Sequence, residues 1–251
     1  MYYTYLIFIF IIVFAFYLFF KYLSQFPIFR FIPIDTKKVP YAVINDNVFS
    51  ESECKHFVQQ ISNCQFITDN PLNEGFTNSR GIVIKFTDNN LLLQLTKYNL
   101  AFLHDIFTKI KDPECNTFIF NALIIKPISN LKDTTQIVKK HHDCTISINE
   151  KHFPYRGYLP KCVTVIYIQL PISFNGGQLD LFTFNGFSDI PEQTIMPKIG
   201  RVVVFRGDLQ HSVQSFHSEQ STPRMSLVFE QYKLPDNVKP QSLFNIHGHT
   251  V

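Results

Sequence analysis

The chain contains no tryptophan, no patterned cysteines and no large excess of charge of either sign. Its 251 residues carry a formal net charge of +3. A charge this small, without a basic stripe interleaved with aromatic residues, gives no indication of nucleic-acid binding. The length is sufficient for one well-buried domain with an appendage. We therefore expect a globular domain whose partners are not nucleic acids.

The cysteines form no C-x-x-C pair and lie far apart, at Cys54, Cys64, Cys115, Cys144 and Cys162. An odd and unpatterned set is typical of buried free thiols, and it argues against a disulfide framework or a zinc site. The chain also lacks any N-x-[ST] glycosylation acceptor. Both features favour a reducing compartment.

The first twenty residues have no charged side chain, and residues 6–20 are almost wholly apolar. This stretch approaches the roughly 20 residues that cross a bilayer as a helix. It has neither the basic start nor the small-residue cleavage site of a signal peptide. We therefore predict an uncleaved transmembrane anchor over residues 1–23, with a cleaved segment and a buried core helix as the alternatives.

Residues 24–40 contain a proline every few positions, at Pro27, Pro33 and Pro40. Proline at this frequency blocks a helix and stiffens the chain, which predicts an extended tether. Positive charges follow the apolar segment rather than precede it, at Lys21, Arg30, Lys37 and Lys38. The positive-inside rule would then keep the main domain in the cytosol.

Helices are predicted to precede a strand-rich half. Ser50 and Glu53 fit a capping box followed by a helical apolar stripe. Residues 82–86 are predicted to form a strand, and residues 88–107 a second helix that is capped near Asp88 or Asn89.

From Phe118 onward, short apolar or alternating runs are separated by turn residues. The runs cover residues 118–125, 162–170, 178–184, 200–205 and 226–232. Strands at this spacing favour a sandwich or barrel, and the helices precede them instead of alternating with them. We predict an α+β domain over residues 41–251, with a jelly-roll core and N-terminal helices packed on it. The segments 129–140 and 149–161 are predicted to be long loops.

A short H-x-D motif, His141 and Asp143, lies near the middle of the chain. Residues two apart on a strand project to the same face, so one imidazole and one carboxylate would lie side by side. A second imidazole is predicted at His211, after an apolar strand and a turn, with His217 as a rival. Two imidazoles and one carboxylate suit Fe(II) and leave positions open for substrate and oxygen. A surface H-x-D in a loop is the simpler alternative.

Arg224 and Ser226 also lie two apart, at the start of a predicted strand. A guanidinium can hold a carboxylate by two hydrogen bonds, and a neighbouring hydroxyl can add a third. The alternative is a surface arginine that follows Pro223.

The order of these elements is H-x-D, then Gly176 and Gly177, then G-R-V-V-V-F-x-x-x-x-x-H ending at His211, then R-x-S. It resembles the Fe(II)- and 2-oxoglutarate-dependent dioxygenases, in particular the prolyl 4-hydroxylase-like branch with its double-stranded β-helix. The resemblance extends from about Tyr41 to Leu234.

The resemblance implies that His141, Asp143 and His211 ligate Fe(II). It further implies that Arg224 binds the distal carboxylate of 2-oxoglutarate with help from Ser226. Tyr167 would then lie on a strand that lines the co-substrate pocket.

The implied activity is hydroxylation of a peptidyl side chain, with proline the first candidate and lysine the next, and with release of succinate and CO2. Ascorbate is a candidate accessory reductant. Collagen-type prolyl enzymes usually have lysine at the position of Arg224, so the substrate stays open. The alternatives are oxidation of a lipid or small molecule, or an inactive membrane-anchored binding module. Members often work in the secretory lumen, so we expect a single-pass endomembrane protein and leave the side of the domain open.

Overall fold

The structure is a computed structural model, and it describes residues 10–19, 41–68, 79–128, 136–143, 146–150, 153–182, 189–236 and 240–247. The chain divides into two compact units. The smaller comprises Met1–Pro33 and Cys144–Leu159, and the larger comprises Ile34–Asp143 and Pro160–Val251. All six predicted site residues belong to the larger unit.

In the smaller unit, residues 10–19 form helix α1. Strands β5 (Ile146–Glu150) and β6 (Phe153–Tyr158) pair as an antiparallel hairpin, so the segment 149–161 is not the irregular loop that was predicted. The described residues include no helix long and apolar enough to cross a membrane. Most of the predicted anchor, at residues 1–9 and 20–23, and the whole tether of residues 24–40 lie outside the described residues.

Helix α2 (Glu51–Ser62) begins at the predicted capping box. The Glu53 backbone N–H donates to the Ser50 hydroxyl oxygen at 3.3 Å, and the Ser50 backbone N–H donates to the Glu53 carboxylate at 2.8 Å. Two backbone donors that the helix itself cannot satisfy are therefore paired. The predicted start of this helix is confirmed.

The single helix predicted over residues 88–107 is wrong. The structure has two helices there, α3 (Leu91–Lys97) and α4 (Phe102–Ile110), and α3 starts after Asn90 rather than Asp88 or Asn89. Asn99 breaks the run with a φ of +59°, a left-handed conformation that asparagine tolerates better than most residues. The apolar spacing continues across this break, which is why the sequence pattern did not reveal it.

Eleven of the described strands form two antiparallel sheets. The large sheet contains β1 (Ala42–Asn45), β2 (Ser79–Phe86), β3 (Thr117–Ile125), β7 (Cys162–Gln169), β11 (Val202–Arg206), β14 (Arg224–Tyr232) and β15 (Phe244–Ile246). The small sheet contains β4 (Gln136–His141), β9 (Leu179–Phe182), β10 (Gln193–Ile195) and β12 (Gln210–Gln214). A separate pair joins β8 (Asn175–Gly176) to β13 (Phe216–His217).

The strand order is β1-β11-β7-β14-β3-β2-β15 in the large sheet and β10-β9-β12-β4 in the small one. From β3 onward the chain passes back and forth between these two sheets, through β4, β7, β9, β10, β11 and β12 to β14. This alternation is the jelly-roll arrangement, so the predicted α+β class and jelly-roll core are confirmed. Strand β4 lies in the segment 129–140 that was predicted to be a loop.

Side chains from the two sheets meet in one apolar cluster, which includes Leu123 and Val203 from the large sheet and Leu181 and Val213 from the small one. The opposite face of the large sheet packs against the helices, in a second cluster that includes Phe57. The first cluster therefore lies between the sheets, and the site described next borders it.

Candidate metal centre

The two predicted histidine ligands lie on neighbouring strands of the small sheet. His141 is the last residue of β4, and His211 is the second residue of β12. They are directly opposite each other in the register of the two strands, and their ring centroids are 4.3 Å apart. Cross-strand neighbours of this kind place two imidazoles at one spot on the sheet.

Asp143 reaches the same place from just beyond β4. The strand ends at His141, so the strand alternation used to predict the H-x-D pair does not extend to Asp143. The Asp143 carboxylate nevertheless lies against both histidines, with Oδ1 3.4 Å from Nε2 of His141 and Oδ2 3.6 Å from Nε2 of His211. The sequence correctly predicted that Asp143 lies beside the two histidines. The prediction that Asp143 is on the same strand as His141 was wrong, because β4 ends at His141.

One potential ligand atom from each of these three residues lies within 4.8 Å of the others. Atoms bound to one ion at about 2.1 Å are separated by about 3 Å, so a small inward adjustment would close this set around a metal. His217 is not part of the cluster; its Nδ1 lies 3.1 Å from the carbonyl oxygen of Ile128. Among the described residues, the geometry thus selects His211 over its rival.

The hydrogen bonds and charges of the cluster suit metal binding. Nδ1 of His141 lies 2.7 Å from the carbonyl oxygen of Lys139, so that nitrogen carries a proton, and Nε2 is the nitrogen turned towards Asp143. Burial lowers the pKa of His211 to about 4, which keeps its imidazole neutral near pH 7. A neutral imidazole is the form that binds a metal.

The charge of Asp143 reinforces this arrangement. Burial raises the pKa of the Asp143 carboxyl, but the nearby histidines, His211 first, outweigh that effect and hold it below its ordinary value. Burial alone would lower the pKa of His141, and the hydrogen bond to Asp143 reverses the direction, with a smaller contribution from the charge of Glu230. The cluster therefore offers a carboxylate and a neutral imidazole at His211, and at His141 a metal would replace the proton on Nε2.

A second polar group lies at the start of β14. The side chain of Arg224 is buried, with 2% exposure, and its Nε and Nη1 have no hydrogen-bond partner among the described residues. Its guanidinium carbon lies 5.1 Å from the centre of the Tyr167 ring. Burial lowers the pKa of Arg224, but a guanidinium stays charged near neutral pH. An unpaired buried cation is costly, which points to an anionic ligand.

Two hydroxyls accompany this guanidinium. Ser226 is directly opposite Tyr167 in the register of β14 and β7. Within the described part of the chain the Ser226 hydroxyl has no hydrogen-bond partner, and the Tyr167 hydroxyl has none apart from the neighbouring guanidinium. The Tyr167 ring belongs to the cluster between the sheets, so Ser226 opposite it and Arg224 two residues away face the same interior. Arg224, Ser226 and Tyr167 form what we call the carboxylate pocket.

Sequence reasoning missed two residues that border the metal cluster. The ring of Phe205 packs against His211 with centroids 5.1 Å apart. Glu230 is buried on β14, and its carboxylate accepts a hydrogen bond from the hydroxyl of Tyr232. The alternation of β14 could have revealed Glu230, because it lies an even number of residues after Arg224 and so shares its face.

No family model and no curated protein matches the chain. Solved structures to which it is similar include a prolyl 4-hydroxylase from Pseudomonas putida, with 16% identity, a TM-score of 0.47 and coverage of 80% of this chain and 96% of the other. A 2OG-Fe(II) oxygenase family oxidoreductase from Burkholderia pseudomallei shows 14% identity, a TM-score of 0.46 and coverages of 77% and 86%. A collagen prolyl hydroxylase of Paramecium bursaria Chlorella virus-1, solved as a 2OG complex, shows 15% identity, a TM-score of 0.42 and coverages of 76% and 94%.

These similarities agree with the resemblance predicted from the sequence. Identities this low and TM-scores below 0.5 do not transfer a function, so the chemistry of the site has to be argued from the residues of this chain.

Proposed function

We propose that this protein is an Fe(II)- and 2-oxoglutarate-dependent dioxygenase of the prolyl 4-hydroxylase-like type. The observation that supports the proposal is the convergence of His141, Asp143 and His211, whose ligand atoms lie within 4.8 Å of one another. Two imidazoles with one carboxylate are the ligand set that non-haem Fe(II) oxygenases use, and they leave coordination positions open.

The carboxylate pocket fits the co-substrate. 2-Oxoglutarate has a carboxylate at each end, and Arg224 is a cationic group inside the same jelly roll whose Nε and Nη1 have no partner among the described residues. The guanidinium would bind the distal carboxylate through two hydrogen bonds, and the hydroxyls of Ser226 and Tyr167 would add donors. The unpaired nitrogens of Arg224 and the hydroxyl of Ser226 would then have partners.

When bound, Fe(II) would supply the oxidative chemistry in which O2 gives one oxygen atom to 2-oxoglutarate, yielding succinate and CO2, and the other to the substrate, converting C–H to C–OH. The contributions of the chain are binding, orientation and exclusion of water. The carbonyl of Lys139 fixes the ring of His141, and the ring of Phe205 covers one side of His211. Arg224 sets the position of the co-substrate along the interior.

We propose a peptidyl side chain as the substrate, with proline and lysine as the candidates and ascorbate as an accessory reductant. Arg224 in place of the lysine usual in collagen-type enzymes is compatible with either residue. We further propose that the uncharged segment over residues 1–23 anchors the enzyme to an endomembrane. The absence of charge from its first twenty residues supports the anchor.

The test is conversion of 2-oxoglutarate by the full-length chain, purified in mild detergent, with Fe(II), oxygen and a pool of peptides. We expect succinate to form only when both Fe(II) and oxygen are present, and mass spectrometry to detect peptides that gain one oxygen. His141→Ala should abolish succinate, whereas His56→Ala, which removes an exposed histidine on α2, should not.

Two other outcomes would redirect the proposal. Folded protein that makes no succinate under any of these conditions would contradict it and favour the binding module. Succinate formed in response to lipid extract but not to peptides would keep the reaction and replace the substrate.

A further inference from the structure

The small sheet has an outer face that the metal cluster does not use. Leu179 and Leu181 of β9 belong to the apolar cluster between the sheets, so Asp180 between them points to the opposite side. Thr194 on β10 and Gln214 on β12 each lie next to a residue of that same cluster, so they share the outer face with Asp180.

These three side chains line a pocket of about 450 Å³. Ligand sites of proteins usually have volumes of about 300–1,000 Å³. The described residues around the pocket include two acids and one histidine, His217, but neither lysine nor arginine. We call this space the outer pocket, and the residues that define it are Asp180, Thr194, Gln214, Phe182 and Asp189.

The carboxylate of Asp180 is buried without a cation. The residue is 3% exposed, its Oδ1 accepts a hydrogen bond from the Thr194 hydroxyl at 2.7 Å, and its Oδ2 accepts one from the Gln214 side-chain amide at 2.5 Å. Both donors are neutral, and among the described residues Asp180 forms no ion pair. A buried charge is costly unless an opposite charge compensates it, and each carboxylate oxygen can accept a further hydrogen bond.

A second polar group beside Asp180 also lacks a partner. Ser212 is directly opposite Asp180 in the register of β12 and β9. Its side chain is fully buried, and its hydroxyl has no hydrogen-bond partner in the described part of the chain. An unsatisfied buried hydroxyl is costly. An ammonium bound to Asp180 has two further donors, so it suits a carboxylate with a hydroxyl next to it.

The aromatic wall of the outer pocket already holds one ammonium. Nζ of Lys140 lies 4.4 Å from the centre of the Phe182 ring and 3.5 Å from Oδ1 of Asp189. The face of an aromatic ring attracts a cation in this way. Lys140 thus compensates the exposed acid Asp189, and the charge of the buried acid Asp180 is left for a ligand.

We propose that the outer pocket binds the cationic end of an arginyl or lysyl side chain of a peptide. The guanidinium or ammonium pairs with Asp180 by charge-assisted hydrogen bonds, and the methylene groups pack on the ring of Phe182. The pocket is on the opposite side of the small sheet from the metal cluster, so this inference does not depend on the proposed dioxygenase activity. A peptide bound there is held at a basic residue away from the metal centre.

Calorimetric titration of the full-length protein in mild detergent tests the site. Three of the probes are acetylated pentapeptides with arginine, lysine or citrulline between alanines, and citrulline keeps the shape of arginine without its charge. We expect the arginyl or the lysyl peptide to bind at least about tenfold more tightly than the citrullyl peptide. The fourth probe, n-butylguanidinium, should bind more weakly than the arginyl peptide. It lacks the peptide groups to which Asn175 and Gln178 of the lining offer hydrogen bonds.

One variant removes the charge of the pocket. Asp180→Asn keeps the shape of the side chain, and it should reduce the preference for the arginyl over the citrullyl peptide to about threefold or less. Asp105→Asn changes an exposed acid on α4 and should leave the preference unchanged.

A second variant fills the site and leaves Asp180 in place. Thr194 is exposed and directly opposite Asp180 in the register of β10 and β9, so an arginine introduced there can pair with this carboxylate from within the chain. Thr194→Arg should therefore abolish the preference and raise the midpoint of thermal unfolding. Thr108→Arg adds the same charge at an exposed position of α4 and should do neither.

The outcomes decide both the site and the source of the cation. A citrullyl peptide that binds as tightly as the arginyl and lysyl peptides would overturn the proposal. A preference that survives in Thr194→Arg, or in folded Asp180→Asn, would overturn it as well. n-Butylguanidinium that binds as tightly as the arginyl peptide would overturn the peptide as the ligand in favour of a small cation. Absence of succinate formation would overturn the dioxygenase alone.

Discussion

His141 and His211 are 70 positions apart in the chain, yet they are directly opposite each other across β4 and β12 with ring centroids 4.3 Å apart. Asp143 completes the cluster by lying against both rings. This metal cluster, the carboxylate pocket, the start of α2 and the turn at Gly176 each have a consequence that can be measured.

Asp143→Asn should weaken metal binding by more than about 100-fold. The substitution keeps the size of the side chain but removes the negative charge that lies between the two imidazoles, and even groups that only support metal ligands commonly contribute 10–100-fold. Calorimetric titration with Mn(II), which resists oxidation, measures the change. Asp105→Asn alters an exposed aspartate on α4 and should bind like the native chain. Equal affinity in Asp143→Asn would remove this residue from the ligand set.

Arg224→Met should raise the stability of the ligand-free protein. It should also abolish the additional stability that the native chain gains when 2-oxoglutarate binds. The guanidinium is buried, and two of its nitrogens have no partner among the described residues. Replacement of buried charge by an apolar side chain of similar volume is frequently stabilising, by about 1–4 kcal/mol. Thermal unfolding with and without 2-oxoglutarate in the presence of Mn(II) measures both effects. A variant that the co-substrate stabilises as much as it does the native chain would show that the anion binds elsewhere.

Acid should destabilise the start of α2 through Glu53. The side chain of Lys109 and the backbone N–H of Ser50 both bond to this carboxylate, and they lower its pKa from 4.5 to about 2. A group whose pKa is lower in the folded state contributes stability above its unfolded pKa and loses it as the pH falls. The contribution should therefore be complete above about pH 5 and disappear between about pH 4.5 and 2.

Urea unfolding of the native chain and of Glu53→Gln at several pH values tests this effect. We expect a difference of about 1 kcal/mol or less at pH 7, because the pair is largely exposed, and a smaller difference at pH 3. Glu51→Gln alters the other acid of the first turn and is the matched control. A Glu53→Gln difference that does not depend on pH would show that the cap does not require the charge.

Gly176→Ala should lower the free energy of unfolding by about 1–3 kcal/mol. The backbone φ is +94° there, and an added Cβ would overlap the carbonyl oxygen of Ser215. Glycine alone adopts this conformation readily, so the turn at Gly176 and Gly177 requires a residue without a side chain at position 176. Urea unfolding compared with Ser221→Ala, in an irregular segment, measures the cost. A neutral substitution would mean that the β8–β13 pairing adjusts without penalty.

Much of the fold was predictable because its signals are local. The capping box at Ser50 and Glu53 requires only four consecutive residues, and the alternating runs from Phe118 onward require only short windows. The break at Asn99 was missed because a left-handed residue can interrupt a helix without changing the apolar spacing. Strand β4 was missed because few turn residues or alternating side chains mark the segment that contains it.

The candidate site was predictable in its residue types and less so in its geometry. His141, Asp143, His211 and Arg224 were identified from their order and spacing. Spacing could not decide between His211 and His217, since both follow the same apolar strand within a few residues. The cross-strand register distinguishes the two histidines. His211 is opposite His141 in the small sheet, whereas His217 belongs to β13, which pairs with β8, and its ring lies near Ile128.

The sequence by itself determined which chemical groups the chain can offer and where helices and strands begin, because caps and periodicity act over a few residues. Only the tertiary structure decided that His211 meets His141 and that Arg224 is buried with two nitrogens that have no partner among the described residues. The physical reason is that these relations depend on how strands distant in the chain align side by side. The resulting register follows from packing of the whole jelly roll, not from any single segment.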